Sequence, residues 1–158
     1  MNSHHTVAIG TWEGDKQQSI EYNSSIAVGI DCPRAKLRVS ILLDTIQEYQ
    51  VRYIFSDEAI SEAVNEAGLI IGARGIAYEG VLQRKPVIVV GEYGFGGLVT
   101  PDTLHEQYNN YFRGKINGIK AEYFSLERLE EEIRRGFALT FQELQMMSNQ
   151  TIRFLHNI

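Results

Sequence analysis

Cys32 is the only cysteine in the chain, so an internal disulfide is excluded and a reducing compartment is the natural setting. Proline is also scarce, with three residues in 158. No apolar run approaches the ~20 residues that a membrane-spanning helix requires. The start of the chain, Met1-Asn2-Ser3-His4-His5, has neither the charged nor the apolar region of a signal peptide. Basic charge is in the minority: 15 Lys and Arg face 20 Asp and Glu, a net charge of −5. Without a basic block, nucleic acid is a poor partner. These absences point to a cytoplasmic protein with no transmembrane segment. What remains, 44% hydrophobic residues over 158 positions, suffices for one domain, residues 1–158, with a full core.

Short apolar runs alternate with amphipathic stretches along the chain, the rhythm of a parallel sheet with helical crossovers. Thr6 to Ile9 reads as a first strand stopped by Gly10, followed by a short polar helix around Glu13 to Glu21. Ser25 to Val28 reads as a second strand. Pro33 then suits the first turn of a helix capped by Asp31 or Cys32, with Ala35, Val39, Leu42 and Ile46 on one face. Val51 to Phe55 predicts a third strand and Ile60 to Ala67 a helix ended by Gly68. Leu69-Ile70-Ile71 and Pro86 to Val90 are too uniformly apolar to be half exposed, so they belong at the centre of a sheet covered on both faces. Ile76 to Gln83 must then be a crossover helix. Thr100 and Pro101 predict a helix start, and Ser125 caps the first of two C-terminal helices. The pattern is that of an α/β domain with a doubly wound, mainly parallel, Rossmann-like sheet and extra helices from about Ser125.

Ligands of such sheets bind at the carboxyl ends of the strands, and two loops there are chemically distinctive. In Gly72-Ala73-Arg74-Gly75-Ile76-Ala77-Tyr78-Glu79, two glycines admit an anion to the backbone and a helix start offers free amides. Arg74 adds a fork of donors suited to phosphate, and Glu79 a carboxylate suited to sugar hydroxyls. The plainer alternative is a tight turn with Arg74 and Glu79 paired on the surface. The second loop, Gly91 to Pro101, has four glycines in its first seven positions. It reads either as a loop that closes on a ligand through backbone amides, Gly94, Gly96 and Gly97 among them, or as a flexible connector. No His or Cys spacing suggests a metal site.

The stretch Ala67 to Gly72, then Gly75 to Glu79, then Gly80-Val81-Leu82-Gln83-Arg84-Lys85-Pro86-Val87-Ile88-Val89 resembles the carboxyl-terminal half of group 1 glycosyltransferases. The donor half of undecaprenyl-linked N-acetylglucosaminyl transferases shows a similar pattern. The resemblance is strongest from Gly68 to Pro101 and weak before Val51. It implies the GT-B fold, in which this half holds the nucleotide sugar. By position, Glu79 would bind ribose hydroxyls, and Gly75 with the following amides would face the diphosphate. Gly10 with Lys16 would form the first-strand loop, whose basic residue neutralises diphosphate. Gly29-Ile30-Asp31-Cys32-Pro33 would form the second-strand glycine-aspartate-glycine-proline loop, with Cys32 in place of a glycine, and Ser56 to Glu58 would lie near the base. The chain departs from the family where a second glutamate is usual: Ile71 stands eight positions before Glu79.

The resemblance implies a transferase domain that binds a nucleoside diphosphate sugar as donor substrate, with no other cofactor, and that needs an acceptor-binding partner or N-terminal domain. It assigns no catalytic residue. A non-catalytic nucleotide-binding or protein-interaction module of the same fold stays open beside it.

Overall fold

The computed structural model describes residues 4–13, 16–55, 59–115, 118–120 and 122–156, those before 23 by their backbone alone. Strands β1 (His4–Glu13) and β2 (Lys16–Asn23) pair antiparallel in a two-stranded sheet of their own. The short helix expected around Glu13 to Glu21 is therefore a strand. Ile20 and Tyr22 are β-formers two apart, and the ladder with β1 satisfies their backbone. Nor does Gly10 stop β1; it falls where the register shifts between Ile9 and Trp12, an irregularity that glycine accommodates.

The main sheet holds β3 (Ser25–Gly29), β4 (Gln50–Tyr53), β5 (Leu69–Gly72), β6 (Val87–Gly91) and β7 (Gly94–Leu98), in the order β4-β3-β5-β6-β7. Neighbours from β4 to β6 run parallel, and β7 returns antiparallel to β6. Six helices are described: α1 (Pro33–Ile46), α2 (Ile60–Glu66), α3 (Gly75–Leu82), α4 (Leu104–Asn109), α5 (Leu126–Phe137) and α6 (Phe141–His156).

The uniformly apolar strands supply two cores at once, because successive side chains point to opposite faces. Ile26, Val28, Leu69, Ile71, Ile88 and Val90 pack on one face with Val39 and Leu42 of α1 and Leu129 and Ile133 of α5. Ala27, Ile70, Val87 and Val89 pack on the other with Val64 of α2, Ala77 and Val81 of α3 and Met147 of α6. The result is a Rossmann-like α/β architecture with helices on both faces of a mostly parallel sheet. The expected Thr100 helix start moves to Leu104, since Thr100 and Thr103 close a turn through their hydroxyls first.

Ser125 does cap α5: its hydroxyl accepts from the Arg128 N–H at 3.1 Å. Replacing Ser125 with alanine should cost about 1 kcal/mol in chemical denaturation, the usual loss for an N-cap side chain. Ser148 ties α6 to the end of α3, donating to the Leu82 carbonyl at 2.8 Å. Among the described residues, no helix is long and apolar enough to cross a membrane.

Candidate functional site

Strand order reverses beside β3. The chain steps outward from β3 to β4 through α1, then crosses back to β5 on the other side of β3. Loops leaving the two strands diverge at such a point and open a crevice at their carboxyl ends. A cleft of about 710 Å³ lies there. Its walls are the β3–α1 loop, the β5–α3 turn and the start of α3 as far as Glu79, together with Phe55, Glu92 and Tyr111.

A pair of glycines brings α3 down onto this crevice. Gly29 and Gly72 are register partners at the ends of β3 and β5. A Cβ on Gly72 would stand 2.5 Å from the Gly29 carbonyl oxygen and 2.6 Å from Ile76 Cγ2, and one on Gly29 would stand 2.7 Å from Ile76 Cδ1. Ile76, in the first turn of α3, thus seats directly over both strand ends. A Cβ on Gly75 would meet nothing within 4 Å, so the helix start itself is open.

Two helices begin at the cleft. The N-cap residues are Cys32 for α1 and Arg74 for α3; neither side chain caps, and neither helix has an acidic residue in its first turn. The first helical bonds run from the Lys36 N–H to the Cys32 carbonyl at 3.0 Å and from the Tyr78 N–H to the Arg74 carbonyl at 2.9 Å. Amides ahead of these, at Arg34 and Ala35 and at Gly75, Ile76 and Ala77, are the donors a helix leaves over. Aligned peptide dipoles add partial positive charge at both ends.

Arg74 adopts φ 56° and ψ −125°, a conformation natural to glycine and strained for a residue with a Cβ. Its N–H donates to the Phe112 carbonyl at 3.0 Å. Its Nε donates to Glu92 Oε1 at 2.8 Å, and Nη2 donates to the same oxygen. That hydrogen bond first, and the charge of Glu92 second, raise the guanidinium above its usual pKa. Arg113 reaches the same carboxylate oxygen. Its Nε stands 3.7 Å from Glu92 Oε1, buried and without a hydrogen-bond partner, and Nη1 donates to the Tyr93 hydroxyl at 3.2 Å. A buried donor left unpaired costs about 1–3 kcal/mol.

The residues named from sequence divide into three groups. Arg74, Gly75 and Glu79 do line one cleft. The surface pair of Arg74 with Glu79 does not form, because Glu92 takes Arg74 and the Glu79 carboxylate accepts from Gln83 Nε2 at 2.8 Å.

Gly94, Gly96 and Gly97 belong to β7 and are absent from the cleft lining. Close neighbours surround all three, and Gly94 and Gly97 also have positive φ, which disfavours any side chain. A Cβ on Gly94 would meet the Ile119 carbonyl oxygen at 2.7 Å, one on Gly96 Val89 at 3.0 Å, and one on Gly97 Glu132 Oε1 at 2.7 Å. The loop read as closing on a ligand is a packed hairpin strand.

Gly10 and Lys16 lie on β1 and β2, outside the five-stranded sheet, so they form no strand-to-helix loop of it. Ser56 to Glu58 lie outside the described residues.

Phe55, Glu92 and Tyr111 are cleft residues that the sequence did not single out, whereas Asp31 lies in the Gly29 to Pro33 loop that the resemblance puts at the site. Glu92 carried one signal, a lone acidic side chain held between glycines at a strand's carboxyl end. Tyr111 arrives on a distant loop, in the Asn110 to Lys115 stretch, in which Tyr111 and Phe112 both have positive φ. Asn110 closes that loop by donating to the Gly114 carbonyl at 2.7 Å. Tyr78 buttresses it from α3, its ring 6.1 Å from that of Tyr111, and burial raises the Tyr78 phenol above its usual pKa. Among the described residues, no group of three or more His, Cys, Asp or Glu is placed to hold a metal ion. Comparisons with protein-family models, with curated proteins and with solved structures find no match to this chain.

Proposed function

We propose that the protein binds a nucleoside diphosphate sugar in the cleft and serves as the donor-binding part of a glycosyl transfer, with the acceptor site supplied by another domain or subunit. One observation carries this reading: two helix starts without side-chain caps meet at a topological switch point, with Arg74 held beside one of them in a conformation that glycine would adopt without strain. A diphosphate is the ligand for which such amides and a guanidinium fork are suited. Strain kept at one residue is explained when its side chain has work that glycine cannot do.

Glu79 stands on the cleft wall at a place suited to ribose hydroxyls, and the exposed ring of Phe55 to a base. In transfer, the amides and Arg74 would stabilise the departing diphosphate, where negative charge grows. The second reading, nucleotide binding without turnover, is favoured by Ile71. It is fully buried against the α1 and α5 side of the sheet, so no carboxylate reaches the sugar from that position.

Calorimetric titration with UDP, GDP and their sugar conjugates tests the proposal. Binding of at least one of them by the chain alone is expected, without transfer. Absence of binding to all of them at millimolar ligand would overturn it. Arg74→Gly should weaken that binding roughly tenfold or more, the loss of a charge-assisted pair with phosphate. Thermal unfolding should then show an unchanged or higher Tm, since the strained φ is relieved. Arg134→Gln, on an α5 arginine paired with Glu131, should leave binding as it was. Equal losses at both arginines would remove support for the site.

A further inference from the structure

Glu92 Oε1 stands between two guanidinium groups in unequal states. Arg74 is exposed on the cleft and takes two hydrogen bonds to that oxygen. Arg113 offers it a buried Nε–H at 3.7 Å, within ion-pair range but without a hydrogen-bond partner. A carboxylate oxygen needs to come only about 0.8 Å closer to reach the ~2.9 Å of an ordinary N–H···O bond. Charged, desolvated donors favour such a bond strongly, and an orphan among them requires an explanation.

We propose that Glu92 is a transferable counter-ion: it holds Arg74 in the arrangement seen here, and passes to the Nε of Arg113 when an anionic ligand takes Arg74. This rests on the diphosphate reading of the cleft for the identity of the anion. Glu92 then competes with the ligand for Arg74, and Arg113 lowers the barrier to displacement by receiving the carboxylate. The backbone is built for this exchange. The Arg74 N–H is bonded to the Phe112 carbonyl at 3.0 Å, and the Tyr93 N–H to the Arg113 carbonyl at 2.8 Å. The backbones carrying both arginines and the hairpin tip carrying Glu92 are thus tied together, and the exchange asks only for side-chain movement. Neither Asp31 nor Glu79 takes its place: the charge of Asp31 acts on Arg74 less than that of Glu92, and neither carboxylate is hydrogen-bonded or ion-paired to Arg74 or Arg113.

The test reads the Arg113 Nε–H resonance of the full chain by ¹⁵N NMR. Arg74→Met frees Glu92 without any ligand, and the Nε–H proton should move downfield as it gains a carboxylate partner. Arg74→Met/Glu92→Gln should show no such move. Wild-type protein saturated with inorganic pyrophosphate should reproduce the Arg74→Met shift, and Glu92→Gln should bind pyrophosphate about tenfold more tightly, having lost the competitor. An unshifted resonance in Arg74→Met, a shift that survives Glu92→Gln, or, where wild type binds pyrophosphate, equal or weaker binding by Glu92→Gln would each overturn the exchange. If Arg74→Met shows the shift but wild type binds no pyrophosphate or nucleotide, the diphosphate reading falls and the exchange between the two arginines stands.

Discussion

Alanine at Gly72 is expected to destabilise the protein by about 3 kcal/mol, the upper end for overpacking a closed site. Its Cβ would stand 2.5 Å from the Gly29 carbonyl oxygen, which is backbone of the adjacent strand, and 2.6 Å from Ile76 Cγ2. Neither neighbour is the free end of a flexible chain. Relief requires β3 and β5 to part or the first turn of α3 to lift, and lifting that turn carries its amides away from the cleft. Urea denaturation reads the stability loss. Backbone amide shifts of Gly75, Ile76 and Ala77 in an NMR spectrum of the folded variant read the displacement.

Gly75→Ala, three residues further on, is the matched control. Its Cβ meets nothing within 4 Å, and alanine is a better helix former than glycine by up to about 1 kcal/mol. That variant should be as stable as wild type or more so. A Gly72→Ala protein within about 0.5 kcal/mol of wild type, the range of an ordinary surface substitution, would show that the glycine pair does not set the position of α3.

Glu132→Ala is expected to cost about 3 kcal/mol, the lower end for breaking a buried ion pair. Glu132 is 2% exposed, yet it is charged and lies on α5. Its Oε1 accepts from the Leu98 N–H at 2.8 Å, at the end of β7, and its Oε2 accepts from Arg135 Nη1 at 2.6 Å. Removing the carboxylate leaves a buried amide of an edge strand unpaired. Arg135 is about half exposed, so water serves it, and this holds the loss at the lower end. Glu132→Gln keeps an oxygen for Leu98 and should cost about 1 kcal/mol, the worth of one hydrogen bond.

Gly97 makes room for this carboxylate: it has φ 77°, and a Cβ there would stand 2.7 Å from Glu132 Oε1. Gly97→Ala should therefore be damaging alone and less damaging in the Glu132→Ala background, a coupling that a double-mutant cycle in urea detects. Purely additive losses would mean that the glycine and the carboxylate serve separate purposes.

Much of the site was legible because its chemistry is local. Gly72, Arg74, Gly75 and Glu79 lie within eight residues, and a strand followed by glycines and a helix start is one continuous piece of backbone. Its position at the carboxyl end of a parallel strand followed from the apolar runs on either side. The partner of Arg74 was not legible. Glu92 lies 18 residues away and Arg113 a further 21, and only the docking of the 110–115 loop on the hairpin tip brings them to one place. The reading of Gly94, Gly96 and Gly97 as a loop over the cleft meets a packed strand instead, for a related reason. Flexibility and close packing ask for the same residue, and sequence alone does not tell them apart.

The sequence by itself determined the sheet interior and the helices that cross it. A run such as Leu69-Ile70-Ile71 is stable only where both faces are covered, and helical spacing from Ala35 to Ile46 leaves one way to cover them. Tertiary structure alone decided the edges. β7 carries three glycines against its own strand propensity. It forms because antiparallel pairing with β6 and the carboxylate of Glu132 satisfy its backbone where solvent would otherwise have to. The cleft was decided in the same way: the starts of α1 and α3 meet only because strand order reverses beside β3, and strand order is a property of contacts between residues far apart in the chain.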